Sequence, residues 1–467
     1  FLPFSFYLTT QKPIFGEMKN NIDEVIEEKT DEIFIKYQEI ENLIFNNEDL
    51  KSLKELEKSA KLNLSSTISQ KYPTIDLQAN GLPKYVAGKN YNSNSQTTKT
   101  SQFSANPTLN ISWDLIDPLR GSEIEIAKNN YKIAKNNFEI KRKDLIQEAK
   151  LRYHKYQKSF RDIENKQFAL DLSITSLENA KSKFDAGIGT RFEVLEADAQ
   201  LSRDEQSLNE TKIQHTINRL SLIEILNIKD DFKIEKDQNL IGYWNYHLNK
   251  TINFGLEKSL SLKNIALRKL IKEQQADKFL NSYKPKIYLS NTFASAFSKG
   301  DSLALSINSD KSASAYTNTI SLNFMWNIFD GGQNKKSQKA KKVEAKAEEY
   351  SFNNIKNILK ANINKAYLNI KLNEEKILSS LKEIKSTKES LRLARLRYDV
   401  GISTLKDVLI RQKEYSDAKS KNINAIYNYN STIDELERLT FLEKNNNCID
   451  KNDNTIKKNE SICYITR

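Results

Sequence analysis

Apolar residues recur along this chain at two spacings. In its second half, Ile363, Ile370, Ile377, Ile384, Leu391 and Tyr398 follow one another every seven residues, and Ile163, Leu170, Leu177 and Phe184 keep the same register in the first. A sustained seven-residue repeat predicts helices packed in coiled-coil fashion. Three residues after these positions come Ala366, Asn373, Ser380, Thr387 and Ala394, with Ser173 and Ala180 in the first half. Small residues let neighbouring helices approach closely, so the pattern predicts a thin wall of helices in place of a thick core. Elsewhere the spacing is two. Within 316–329, Ile320, Leu322, Phe324, Trp326 and Ile328 share one face, and Thr319, Ser321, Asn323 and Asn327 take the other. Within 103–116, Leu109, Ile111, Trp113 and Leu115 oppose Asn110, Ser112 and Asp114. Alternation of this kind predicts strands.

The two halves are copies of one unit, offset by 211 to 214 residues. Lys71-Tyr72-Pro73 returns as Tyr283-Lys284-Pro285, Trp113–Asp117 returns as Trp326–Asp330, and KFDAGIGT at 183–190 returns as RYDVGIST at 397–404. Each copy reads as short helix, strand, polar loop, strand, very long helix, Gly turn and medium helix. The first copy places these at about 48–70, 73–83, 84–102, 103–116, 122–186, 187–190 and 191–226. The second places them at about 256–282, 285–297, 298–315, 316–329, 333–400, 401–404 and 405–441. The chain therefore divides into an N-terminal segment 1–30, a first unit 31–226, a connector 227–255, a second unit 256–441 and an Asn/Lys-rich tail 442–467, expected to be loosely ordered. The opening FLPFSFYL, which begins at Phe1 and not at Met, fits either the end of a secretory signal or a frayed terminus.

At 1.5 Å per residue each long helix would run about 100 Å. A short and a medium helix stacked end to end nearly match that length, which favours staves of equal height over a free two-stranded coiled coil. The strands carry about ten alternating residues, as a membrane-spanning β-strand does with lipid on one side and water on the other. A soluble sandwich strand with one buried face has the same pattern. Four strands cannot close around water, so the lipid-facing reading requires several chains to pool them.

Composition narrows the choice. With 12 Gly and 7 Pro in 467 residues, helix and strand breakers are scarce and mark the corners of the fold. Two Cys and three His exclude a disulfide-built scaffold and a His/Cys-rich metal protein. No apolar run approaches the length of a membrane-spanning helix. The net charge of +12 would suit nucleic acid, but its basic residues alternate with acids and do not cluster, which argues for a solvated surface. There is no phosphate-cradling Gly-rich loop, no HExxH and no paired-Cys zinc pattern, so neither an enzyme nor a cofactor is expected. His154, His215 and His247 lie far apart, and His215 falls in a helical packing slot. Cys448 and Cys463 fit either a disulfide or two free thiols.

The duplicated helix–hairpin–long-helix unit, RYDVGIST with its continuation LKDVL, the weaker KFDAGIGT with RFEVL, and the Trp113–Asp117 and Trp326–Asp330 corners resemble the TolC-like outer-membrane efflux proteins over residues 30–442. The resemblance implies a mainly α fold with a small β part and a long helical barrel. Four transmembrane strands per chain would be completed to a 12-stranded barrel by a homotrimer in outer-membrane lipid. It implies the passive exit duct of a tripartite efflux pump or type I secretion system. A periplasmic membrane-fusion adaptor would dock at the helical tips (Gly187, Ile188, Thr190, Gly401, Ile402, Ser403, Thr404), and an inner-membrane transporter of RND, ABC or MFS type would supply the energy. The lipid-facing set would be Leu109, Ile111, Trp113, Ile320, Leu322, Phe324 and Trp326. The pore entrance would carry acidic rings at Glu193 and Asp407 beside Tyr398, although both acids also suit the first turn of a helix. Where the family has a network Arg and a second acid, this chain has Ser403 and Ile410. A structural coiled-coil or adaptor-type protein without a pore is the alternative.

Overall fold

The computed structural model describes residues 33–91, 97–228, 232–301 and 312–445. In chain order the elements are β1 (Ile33–Ile35), α1 (Ile40–Leu43), α2 (Glu48–Ser69), β2 (Thr74–Tyr91), β3 (Thr97–Ile116), α3 (Arg120–Asp185) and α4 (Arg191–Leu226). They continue with β4 (Phe232–Ile234), α5 (Leu248–Lys258), α6 (Leu260–Asn281), β5 (Lys286–Asp301), β6 (Ser312–Met325), α7 (Gln333–Asp399) and α8 (Leu405–Thr440).

The helices form a single layer. At 66 and 67 residues, α3 and α7 are each about 100 Å long. Two shorter helices line each of them. α2 lies along the first part of α3, where Lys54 sits over the Phe138 ring, and α4 lies along the rest, where Arg152 reaches Glu224 and Ser173 reaches Asp204. α6 pairs with the start of α7 through Lys272–Glu344 and Lys269–Glu349, and α8 continues beside it through Lys421–Glu383. Buried amides join the halves. Asn165 of α3 donates to the Ser416 carbonyl at 2.9 Å, and Gln412 of α8 donates to the Ala169 carbonyl at 3.0 Å. α2 and α4 also meet end on. Asn47, which caps α2, donates to the Ile225 carbonyl at 2.9 Å, and Asn227, which ends α4 with φ +49°, donates to the Asn46 carbonyl at 3.1 Å.

Of the seven-residue positions in α7, Ile363, Ile370, Ile377, Leu391 and Tyr398 are buried, together with Ala366, Asn373 and Ser380. In α3 the register is different. Leu177 is buried, but Ile163 and Leu170 are half-buried and Phe184 is exposed. The buried residues there are Asn165, Ala169, Ser173, Ser176, Leu177 and Ala180. α3 is flanked by α4 on one side and α8 on the other, so it needs two seams of small residues and not one seam of large ones.

The strands form one antiparallel sheet in the order β2-β3-β5-β6. Both hairpins run well into the segments expected to be polar loops. β2 continues to Tyr91 and β3 starts at Thr97, while β5 continues to Asp301 and β6 starts at Ser312. A composition of Ser, Thr, Asn and Lys does not prevent the backbone from forming a ladder here. β6 stops at Met325, opposite Lys286, so Trp326 and Ile328 lie beyond the strand and not on it. The next residue on the partner side is Pro285, which has no N–H to extend the pairing.

The expected short helix at 256–282 is two helices, broken at Ser259, whose hydroxyl accepts from Leu262 N. α5 crowds against its neighbours at Gly255, where a Cβ would lie 2.4 Å from Ile363 Cδ1. The start of the expected loose tail is tied down, because Asn445 and Tyr243 exchange both backbone hydrogen bonds at 3.1 Å. Cys448, Cys463 and segment 1–30 lie outside the described residues.

Candidate channel wall and entrance

The ladder register sorts the sheet into two faces. Ile75 and Leu77 of β2 pair with Ile111 and Leu109 of β3. Leu109 and Trp113 pair with Phe293 and Leu289 of β5, and Ile287 and Leu289 pair with Phe324 and Leu322 of β6. Ile320, Phe297, Phe103, Tyr85 and Tyr316 continue this face, whose large side chains are mostly exposed in a single chain. Its central polar residues, Asn291 and Asn318, satisfy each other at 2.9 Å. The other face is polar: Asn110 accepts from Thr292 at 3.0 Å, and Asn323 and Ser321 both bond to Ser290. Trp113, near the end of β3, and Trp326, just beyond β6, play equivalent parts. Their indole N–H groups donate to the carbonyls of Lys71 and Tyr283 at 2.9 and 2.8 Å.

At the far end of the helices are two tight turns. Gly187 and Gly401 adopt φ of +74° and +80°, the left-handed region that reverses a helix without a Cβ penalty. Ile188 N and Gly189 N donate to the Lys183 carbonyl at 3.0 and 2.9 Å, and Ile402 N and Ser403 N donate to the Arg397 carbonyl at 2.8 and 3.2 Å. Ile188 and Ile402 are exposed at the apex.

Each turn ends in a capping box. Glu193 N donates to Thr190 Oγ1 at 3.2 Å and Thr190 N returns a bond to the Glu193 carboxylate at 3.3 Å. Asp407 N donates to Thr404 Oγ1 at 3.3 Å, and the Asp407 carboxylate accepts from Ser403 Oγ at 2.8 Å and from Thr404 Oγ1 at 3.1 Å. The Ser403 hydrogen bond, with those of Thr404, holds the Asp407 carboxyl below the usual carboxylate range. Both acids therefore complete helix starts, Glu193 half-buried and Asp407 exposed.

Tyr398 is buried against Leu177, Ala180, Leu405 and Val408 in a cluster that joins both tips. Burial pushes its phenol up, with the charges of Glu193 and Asp399 adding to the effect. Its hydroxyl has no hydrogen-bond partner among the described residues. Lys183 holds it from the other tip, with Nζ 3.5 Å from the ring centroid and 2.7 Å from the Tyr398 carbonyl oxygen that accepts from it. Sequence reasoning passed over Lys183, which lies 215 residues from Tyr398.

It also passed over a polar cluster at mid-height. His154 Nε2 lies 2.9 Å from Asp434 Oδ2, Tyr37 donates to Asp434 Oδ1, and Lys444 donates to Tyr37 at 3.0 Å and to Glu437 at 3.1 Å. Burial alone would raise the Asp434 carboxyl. The hydrogen bond and charge of His154, with Lys444 and Lys150, outweigh that and hold it below the ordinary range. These groups border a cavity of about 880 Å³. His215 packs against Tyr156 and Phe160 with Nδ1 2.7 Å from Ser159 Oγ, and burial lowers its pKa. No cluster of three metal-ligating side chains occurs among the described residues, and none of their helices is long and apolar enough to cross a membrane.

Comparison with known proteins agrees with this geometry. Residues 40–227 and 258–440 match the family model described as outer membrane efflux protein. No curated protein sequence matches the chain. Among solved structures, CusC superposes with a TM-score of 0.73 at 14% identity, covering 86% of this chain and 92% of that one. The CmeC outer membrane channel of Campylobacter jejuni gives 0.69 at 18% identity, covering 86% and 85%. The outer membrane protein VceC of Vibrio cholerae gives 0.71 at 14%, covering 86% and 97%. The chain belongs to the outer membrane efflux protein family and is a TolC-like channel of the outer membrane that extends into the periplasm.

Proposed function

We infer that three copies of this chain, each a tandem repeat of one unit, pool their sheets into a 12-stranded barrel and their helices into a tunnel. The assembly is the passive exit duct of a tripartite efflux pump or type I secretion system. The observation that carries this reading is the two-faced sheet. From Trp113 to Phe103 is ten residues, about 34 Å along a strand and about 26 Å along a barrel axis at 40° tilt, which fits the roughly 25 Å apolar band of such barrels. The outer staves support the same reading. Ile213, Ile217 and Leu220 of α4, and Leu368, Leu372, Leu393 and Leu396 of α7, are exposed on helices that each have one side without a neighbour among the described residues. An adjacent copy would cover them.

In this duct Leu109, Ile111, Trp113, Ile320, Leu322 and Phe324 face lipid, with Trp326 at the membrane border below β6. Glu193, Asp407 and Tyr398 lie at the entrance, and the turns at Gly187–Thr190 and Gly401–Thr404 receive a periplasmic adaptor coupled to an inner-membrane transporter. Extraction from outer membranes in detergent, with heat-modifiable migration as a trimer, is the expected behaviour. Purification as a soluble monomer without detergent would overturn it in favour of a pore-less coiled-coil protein.

A further inference from the structure

The sheet has two open edges, β2 and β6, each paired on one side alone. Edges of 18 and 14 residues are ready pairing surfaces, which a stable protein covers. The chain carries its own template for the cover. The hairpins β2–β3 and β5–β6 share one register: Ile75 pairs with Ile111 as Ile287 pairs with Phe324, which equates β2 with β5 at an offset of 212 and β3 with β6 at 213. Beyond the bulge between Asn80 and Lys84 the first offset becomes 210, so that Lys89 equates with Lys299. The seam between the hairpins, β3 against β5, is therefore a template for the seam that β6 would make with the β2 of a second copy.

In the internal seam β3 continues to Ile116 because β5 receives it: Asp114 pairs with Tyr288 and Ile116 with Ile287. β6 has one partner and ends at Met325, short of Phe329, the equivalent of Ile116. The residues left over are apolar and bare. Ile328 is 72% exposed and Phe329 83%, where their equivalents Leu115 and Ile116 are 40% and 55%. On β2, Ile75 and Leu77 are exposed as well. The polar groups also fit. Asp114 and Lys286 form an ion pair across the internal seam at 2.8 Å; their equivalents, Asn327 and Thr74, are both uncharged, so the same register strands no half of that pair. At the other end Tyr316 would stand opposite Lys89, as Phe103 stands opposite Lys299.

We propose that assembly extends β6: residues 326–329 become strand by pairing with the β2 of a second copy, in the register of the internal seam. Trp326 then stands opposite Leu77 of the partner subunit, Asn327 opposite Asp76 of the partner subunit and Phe329 opposite Ile75 of the partner subunit. Met325 stands opposite Gln78 of the partner subunit. This rests on the pooled-sheet reading above, and adds to it the pairing scheme and the folding of a segment that has no ladder in a single chain.

The test is disulfide trapping in the full chain, extracted from outer membranes in detergent, with Cys448→Ser and Cys463→Ser removing the native thiols. Opposed residues on paired strands bring their Cβ atoms to disulfide distance. Gln78→Cys/Met325→Cys and Asp76→Cys/Asn327→Cys give covalent trimers on mild oxidation, roughly ten-fold more than the offset pair Asp76→Cys/Asn323→Cys, whose residues stand about 14 Å apart in this register. Trapping by the first pair alone overturns the extension, and trapping by the offset pair overturns the register. If a double variant does not assemble, hydrogen exchange of the unaltered trimer decides. Peptides over 326–329 exchange as slowly as those over 312–325, and exchange on the order of a hundred-fold faster overturns the proposal. A trimer that persists in detergent while no pair is trapped overturns this seam alone. A wild type that is a soluble monomer without detergent overturns the pooled-sheet reading itself.

Discussion

Lys183 closes the last turn of α3 by resting its ammonium on the face of Tyr398, the residue that closes α7. One side chain thereby ties together the two helix reversals. A cation over a ring contributes about 0.5–2 kcal/mol, and the accompanying hydrogen bond about 1 kcal/mol. Lys183→Met should raise hydrogen exchange of the last α7 amides roughly ten-fold, and Lys183→Arg should restore most of the protection. Unaltered exchange in Lys183→Met would show that the apolar cluster holds the tips without it.

The two turns differ at one position. A Cβ on Gly189 would lie 2.8 Å from Phe184 N and 2.9 Å from the Lys183 carbonyl carbon, whereas the second turn carries Ser403 and its N–H bond is longer, 3.2 Å against 2.9 Å. Gly189→Ser should cost about 1–3 kcal/mol through backbone crowding, with a matching drop in protease resistance at the first tip. Ser403→Gly should leave the second turn intact. Equal sensitivity of both tips would contradict this.

Asp407 titrates below the normal carboxylate range, so its charge persists on acidification and is lost only as the pH falls through that lowered value. If Glu193 and Asp407 ring a narrow mouth, Glu193→Gln with Asp407→Asn lowers cation selectivity in planar-bilayer recordings. Selectivity equal to wild type would leave both acids with the helix-capping role alone.

The His154–Asp434 pair is almost fully buried. His154→Ala removes one of the groups that hold the buried Asp434 carboxylate, leaving Tyr37 and Lys444, and should cost about 1–3 kcal/mol. Because the folded-state pKa of Asp434 lies below its unfolded value, its contribution is complete above about pH 4 and is lost as pH falls through the folded value. Thermal melts should therefore show an acid-induced loss of stability that Asp434→Asn flattens. A wild type insensitive down to pH values well below the ordinary carboxylate range would refute the coupling.

Local periodicity made the long helices legible: 122–186 and 333–400 were expected, and 120–185 and 333–399 are observed. The alternation of Leu109, Ile111 and Trp113 likewise put the three on one face of the sheet, as the ladder has them. What escaped was whatever depends on a neighbour distant in sequence. Phe184 is exposed because α3 faces α4 and α8 together, which a single heptad cannot encode. The polar hairpin ends formed strands because their ladder partners were available. His154 and Asp434 meet across 280 residues with no local signal, and the same holds for Lys183.

The junction of Asn47 and Asn227 gives the wall an uneven mechanical character. α3 runs unbroken through mid-height, while its companion stave is two helices spliced by a pair of side-chain amides. Such a splice bears compression along the axis but yields readily to rotation about it. A twist applied at the Gly187 and Gly401 turns should therefore dissipate at this joint before it reaches the sheet.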